Sequence, residues 1–199
     1  MRIYKMISIV LHPIVLPTIG VLFYFILIPN NFNSNQRLAL LGLIFVTTYI
    51  VPLLILIFFK KFKLINSFEA ESIQERKIPI ALMIIIFYLL GNTLKDIPNL
   101  FDIGVLFYAT ALGLLLIYIL FVFKIKTSIH LLSLGITSGF FFILNSLYNE
   151  NLLVFVICTI LLAGLLASSR LHLRAHKQNE VYLGFILGFF APALVFYYL

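Results

Sequence analysis

Apolar residues along this chain come in long unbroken runs rather than in the spaced pattern of an amphipathic surface helix. Reading from one polar break to the next gives seven runs, at residues 7–28, 38–59, 78–94, 103–123, 128–148, 152–168 and 181–198. Each is close to the roughly 17–25 residues that an α-helix needs to cross a hydrocarbon core of about 30 Å. The breaks, among them "NNFNSNQ", "KDIPNLFD" and "NEN", have the Asn, Asp and Pro content of tight connections. The pattern predicts an all-α, polytopic transmembrane bundle of about seven spans. The third run is short, so the count falls to six if that run is not a full span. One integral-membrane domain is expected over residues 1–199, with no internal repeat.

Composition agrees with that reading. The chain is 63% hydrophobic and 11% charged, with a mean hydropathy of +1.15, well beyond an ordinary soluble domain. A bilayer supports such a chain because helices satisfy their own backbone hydrogen bonds there. The first run is 22 residues long and is followed by further spans, so it is expected to stay in the protein rather than be cleaved as a signal peptide. Cys158 is the only cysteine, which leaves neither a disulfide framework nor a cysteine metal site. The net charge of +7 suits an anionic lipid surface, and no nucleic-acid partner is expected.

The distribution of charge says more than its sum. With seven spans, the N-terminus and residues 60–77, 124–127 and 169–180 share one side. Of the fourteen Lys and Arg, all but Arg37 and Lys95 fall there. The positive-inside rule makes that side cytoplasmic. Discounting Arg76, Lys77, Arg170, Arg174 and Lys177 as candidate functional charges leaves the bias intact.

Three polar clusters lie on that same side: "QERKIP" (74–79), "KTSIH" (126–130) and "SSRLHLRAHKQNE" (168–180). In the last, Glu180 follows His176 by four residues, one helical turn. It can accept a hydrogen bond from the imidazole Nδ1, fix the tautomer and leave Nε2 as a nucleophile. Arg170, beside Ser169, offers a fork for phosphate oxygens. Ser128 and His130 stand at a predicted helix start, where free N–H groups and the dipole favour an anion, and His130 is a candidate general acid. Arg76 and Lys77, near Pro79, add positive charge. His12 lies inside the first run but close to its end, and is assigned no step.

These motifs resemble the signature of the type 2 phosphatidic acid phosphatase superfamily of membrane phosphatases: K, six residues, R-P; P-S-G-H; S-R, five residues, H, three residues, D. The resemblance covers roughly residues 70–190, and Gly184 and Gly188 match small residues of the family's last helix. It implies that His176 is the nucleophile that becomes phosphohistidine, Glu180 its acidic partner, and His130 the acid that protonates the leaving oxygen. It further implies that Ser128, Arg76 and Arg170 bind phosphate, that no metal or other cofactor is required, and that the substrate is a membrane lipid phosphate or diphosphate. A bacterial cytoplasmic membrane is the expected location. This chain departs from the signature with Glu69 in place of the first lysine, "TSIH" for P-S-G-H, and Glu180 for Asp. A catalytically idle lipid-binding or scaffolding relative is therefore the competing expectation. A transporter is disfavoured because no charge lies at mid-membrane depth.

Overall fold

The computed structural model describes residues 2–65, 72–148 and 151–199. Among these residues all regular structure is helical, in the order α1 (Arg2–Val10), α2 (Leu16–Leu27), α3 (Ser34–Phe45), α4 (Val51–Lys61), α5 (Ile73–Lys95), α6 (Phe101–Leu120), α7 (Ile129–Tyr148), α8 (Leu153–His172) and α9 (Gln178–Tyr198). Six helices are long and apolar enough to cross a membrane, with α3 and α4 continuous as the 28-residue Ser34–Lys61. The polytopic helical bundle expected from the apolar runs is present, and its short third run is a full 23-residue helix, α5.

The first run departs from the expected single span. It is divided into α1 and α2 by a bend at residues 11–15. Pro13 has no N–H to donate and disfavours helical geometry at His12, and the chain turns there through Leu16 N–H to His12 C=O at 3.2 Å. Pro17 then sits in the first turn of α2, where its missing N–H costs nothing. At twelve residues, α2 is about 18 Å long, short of the hydrocarbon thickness.

A second proline acts differently. Pro52 cannot donate within α4, and the helix opens into one wide turn over Val46–Ile50, with Val51 N–H bonded to Val46 C=O. The ladder is relaxed rather than broken.

The core lies between α2, α5, α6, α7 and α9, around fully buried Phe107, Phe140 and Phe141. A smaller cluster of Leu16, Leu131, Leu134, Ala163, Leu166 and Val181 seats α8 and the start of α2 against α7 and α9. On the outer faces, Ile157, Leu161 and Leu165 of α8 and Ile186 and Phe190 of α9 are exposed, as lipid-facing positions must be. At the end of the bundle away from the polar clusters, the Tyr24 and Tyr148 hydroxyls both donate to buried Asp102, at 3.0 and 2.6 Å, tying α2 and α7 to α6.

The closest helix pair is α7 with α9. Gly135 and Gly139 face the backbone of Phe185 and Phe189, while Gly184 and Gly188 face the backbone of Ser128, Leu132 and Ile136. Small residues permit this approach because membrane helices associate through packing rather than by leaving water. A Cβ at position 188 would lie 2.9 Å from the Ile136 nitrogen and closer still to Leu132 O. Gly188→Ala is therefore expected to cost about 1–3 kcal/mol, read as a lowered Tm in detergent micelles. Gly164→Ala, with nothing within 4 Å of the new Cβ, is expected to be neutral or mildly stabilising.

Candidate active site

Three helix ends on the polar side close in the same way. Lys63, Lys124 and Arg174 have φ near 58°, 59° and 53°, and the next residue's N–H reaches back to Phe59, Leu120 and Arg170 C=O, at 2.8, 3.0 and 3.1 Å. These are left-handed helix terminations in which a cation rather than glycine takes the strained position, next to the negative end of the helix dipole. The one at Arg174 makes the α8–α9 connection tight. Arg170, in the last turn of α8, and His176, just before α9, are thereby held across a single turn.

The α7–α9 seam then sets these residues against the start of α7. Ser128 N–H donates to Glu180 C=O at 3.1 Å, so the beginnings of α7 and α9 touch. In the first turn of α9, Glu180 Oε2 lies 2.7 Å from His176 Nδ1. With the carboxylate as acceptor the ring proton sits on Nδ1, and Nε2 keeps its lone pair. The His176 side chain is 1% exposed. Burial, with Arg76, Arg170 and Lys126 nearby, pushes its pKa down to about 4 against the opposing pull of Glu180. The imidazole is neutral at pH 7.

His176 lines a cavity of about 730 Å³. Its polar end carries Arg76, Lys126, His130 and Arg170, together with Lys5 and His12. Its body is apolar, walled by Ile80, Met83, Phe87, Leu106, Leu114 and Phe141. Phe141 lies eleven residues beyond His130 on α7, about 16 Å along the helix, so the cavity runs from the polar end toward the middle of the bundle. Arg170 Nη1 donates to Ser8 Oγ at 2.7 Å, Arg76 Nη1 to Thr127 C=O at 3.4 Å, and Lys126 Nζ to Ala175 C=O at 3.2 Å. Thr127 Oγ1, Ser128 Oγ and His130 Nε2 are buried without a hydrogen-bond partner among the described residues, a state that buried polar groups rarely keep.

The structure thus gathers Arg76, His130, Arg170 and His176 around one cavity, with Glu180 bonded to His176. The other three expected phosphate binders are elsewhere. Lys77 is exposed and outside the cavity, because one step along α5 rotates it about 100° away from Arg76. Ser169 is fully buried and bonds its own helix at Leu165 C=O, 2.9 Å away. Ser128 is also buried, and its carbonyl faces Gly184 of α9 rather than the cavity. Glu69 lies outside the described residues. Lys5, Ser8, His12 and Lys126 reach the site without having been assigned a role from sequence. His12 carried a signal, an ionisable ring in an apolar run beside proline, and Lys126 opened the second polar cluster.

Comparison with family models, curated proteins and solved structures finds no match.

The depressed pKa of His176 makes a signed prediction. In the unfolded chain the ring titrates near 6.5. Its contribution to stability is fully present above that pH and is lost as pH falls toward about 4. Imidazole NMR is expected to show a neutral His176 ring at pH 5.5. Glu180→Gln is expected to lower the pKa further, since the carboxylate alone favours the charged ring. Titration of His176 near 6.5 would contradict the burial argument.

Proposed function

We propose that this chain is a metal-independent membrane phosphohydrolase that removes a phosphate from a lipid phosphate or diphosphate. The observation that carries the reading is the His176 imidazole held by Glu180 at 2.7 Å, on the wall of a cavity with two arginines, a second histidine and an apolar body. The cationic end suits a phosphate and the apolar body suits the chain attached to it, which together describe an amphiphile.

In this reading His176 Nε2 attacks phosphorus in line. An N–P bond forms as the ester P–O bond breaks, and His130, which takes up a proton as the phosphate anion binds beside it, gives that proton to the departing oxygen. Arg76 and Arg170 hold the equatorial oxygens, whose charge grows in the transition state. Water, losing its proton to the now neutral His130, then cleaves the N–P bond. Phosphate leaves and both imidazoles return to their starting states.

A second reading, a catalytically idle relative that binds lipid, draws on the exposed Lys77 and on the Ser169 hydroxyl committed to its own helix. These leave fewer phosphate contacts than the signature provides. Phosphate release from short-chain phosphatidate by purified protein separates the two. His176→Ala is expected to abolish turnover, whereas Glu180→Ala retains a slow rate because Glu180 orients the nucleophile without forming the bond. EDTA is expected to have no effect. Turnover by His176→Ala above background would eliminate the mechanism.

The site is proposed to face the cytoplasm of a bacterial inner membrane, on the strength of the charge bias. That orientation favours lipids made on the inner leaflet. Lys63→Cys and Lys124→Cys, each exposed and placed in a Cys158→Ser background, are expected to resist a membrane-impermeant thiol reagent in intact cells and to react after lysis. Labelling of both without lysis would put the site outside.

A further inference from the structure

We infer that His12 is a positioning residue for His130, the proton donor of the mechanism proposed above, on which this inference rests. His12 lies outside the three motifs, and only the bend at Pro13 carries it into the cavity. Its ring stands perpendicular to that of His130, at 83° with centroids 5.0 Å apart. The His12 ring is itself anchored. Its Nδ1 accepts the Ile14 N–H at 3.3 Å, the two-residue bond that an Asn or Asp side chain makes in an Asx turn.

His130 needs an external guide of this kind. Its Nε2 is buried without a hydrogen-bond partner among the described residues, so no bond at that atom sets the ring angle, and the packed neighbour does. The N-terminal segment is tied to the site independently through Ser8 and Arg170, 2.7 Å apart, which keeps His12 in register with His130. A donor must meet the leaving oxygen within hydrogen-bond reach, and a ring free to rotate loses that alignment.

The test exploits how much a leaving group needs the proton. Phosphatidate releases an alkoxide that must be protonated, whereas p-nitrophenyl phosphate releases a stable phenolate. His12→Asn keeps the turn bond to Ile14 and removes the ring. With full-length protein in micelles, His12→Asn is expected to lower kcat on phosphatidate roughly ten- to a hundredfold. The first-turnover burst of p-nitrophenolate, which reads N–P bond formation before His130 acts as base, should stay within about twofold of wild type, with Tm unchanged. His130→Asn should lose at least as much on phosphatidate, and the double variant should lose little more than His130→Asn alone, as expected of groups acting as a unit. His12→Phe, which restores a ring against His130, should recover part of the phosphatidate rate. If His12→Asn does not fold, His12→Gln carries the comparison. Wild-type rates on phosphatidate in His12→Asn, or an equal loss in the p-nitrophenolate burst, would overturn the inference while leaving the phosphohydrolase reading in place. Turnover by His176→Ala, or no turnover by the wild type, would remove that reading and this inference with it.

Discussion

Everything at the polar end of this bundle depends on how closely α7 and α9 approach. Four glycines, Gly135 and Gly139 on one helix and Gly184 and Gly188 on the other, bring backbone against side-chain-free backbone. The helices then start at one level, and Ser128 N–H meets Glu180 C=O. Larger residues would hold the axes apart by an ångström or more, and that hydrogen bond would fail. His130 begins one of these helices and the His176–Glu180 pair begins the other, so a packing constraint buried in the membrane sets the distance between the candidate catalytic groups. Lipid supplies no hydrophobic drive to compensate for looser contact, which is why the seam carries such weight.

The rest of the cavity follows from two prolines and three helix terminations. Pro13 stops α1 before it can continue into the bilayer and turns His12 inward. Pro52 relaxes the helix opposite, where Thr48 is buried within 3.3 Å of Thr18. The left-handed ends at Lys63, Lys124 and Arg174 make sharp returns on the polar side. Each places a cation at the negative end of a helix, so the charges that bias topology also neutralise helix ends. Arg170, Arg76 and Lys126 are steered further by hydroxyl and carbonyl partners.

A neutral, buried His176 is a consequence of this arrangement. Desolvation and the surrounding cations both disfavour the imidazolium, and Glu180 only partly offsets them. Burial does most to keep the ring unprotonated, and the cations that would draw a phosphate group into the cavity act in the same direction. The apolar body extending past Phe87 to Phe141 gives that charged end an amphiphile's complement.

Membrane residence, the helical bundle and the His176–Glu180 contact were legible in the chain because they depend on local spacing: run length against bilayer thickness, and four residues against one helical turn. The three polar clusters fell on one side by the parity of the spans alone. The split of the first run was also written locally, in Pro13 and Pro17, but hydropathy summed over the run masked it. Tertiary structure alone decided which neighbours of equal chemistry reach the cavity. Arg76 does and Lys77 does not, because one step along a helix turns a side chain through about 100° and only packing fixes which direction is inward. The two serines behave likewise, each next to a cavity residue in sequence yet held against helix backbone. The approach of Ser8 to Arg170 spans 162 residues, and His12 meets His130 across more than half the chain. No local rule encodes such pairs, since they exist only once α1, α7 and α8 have docked.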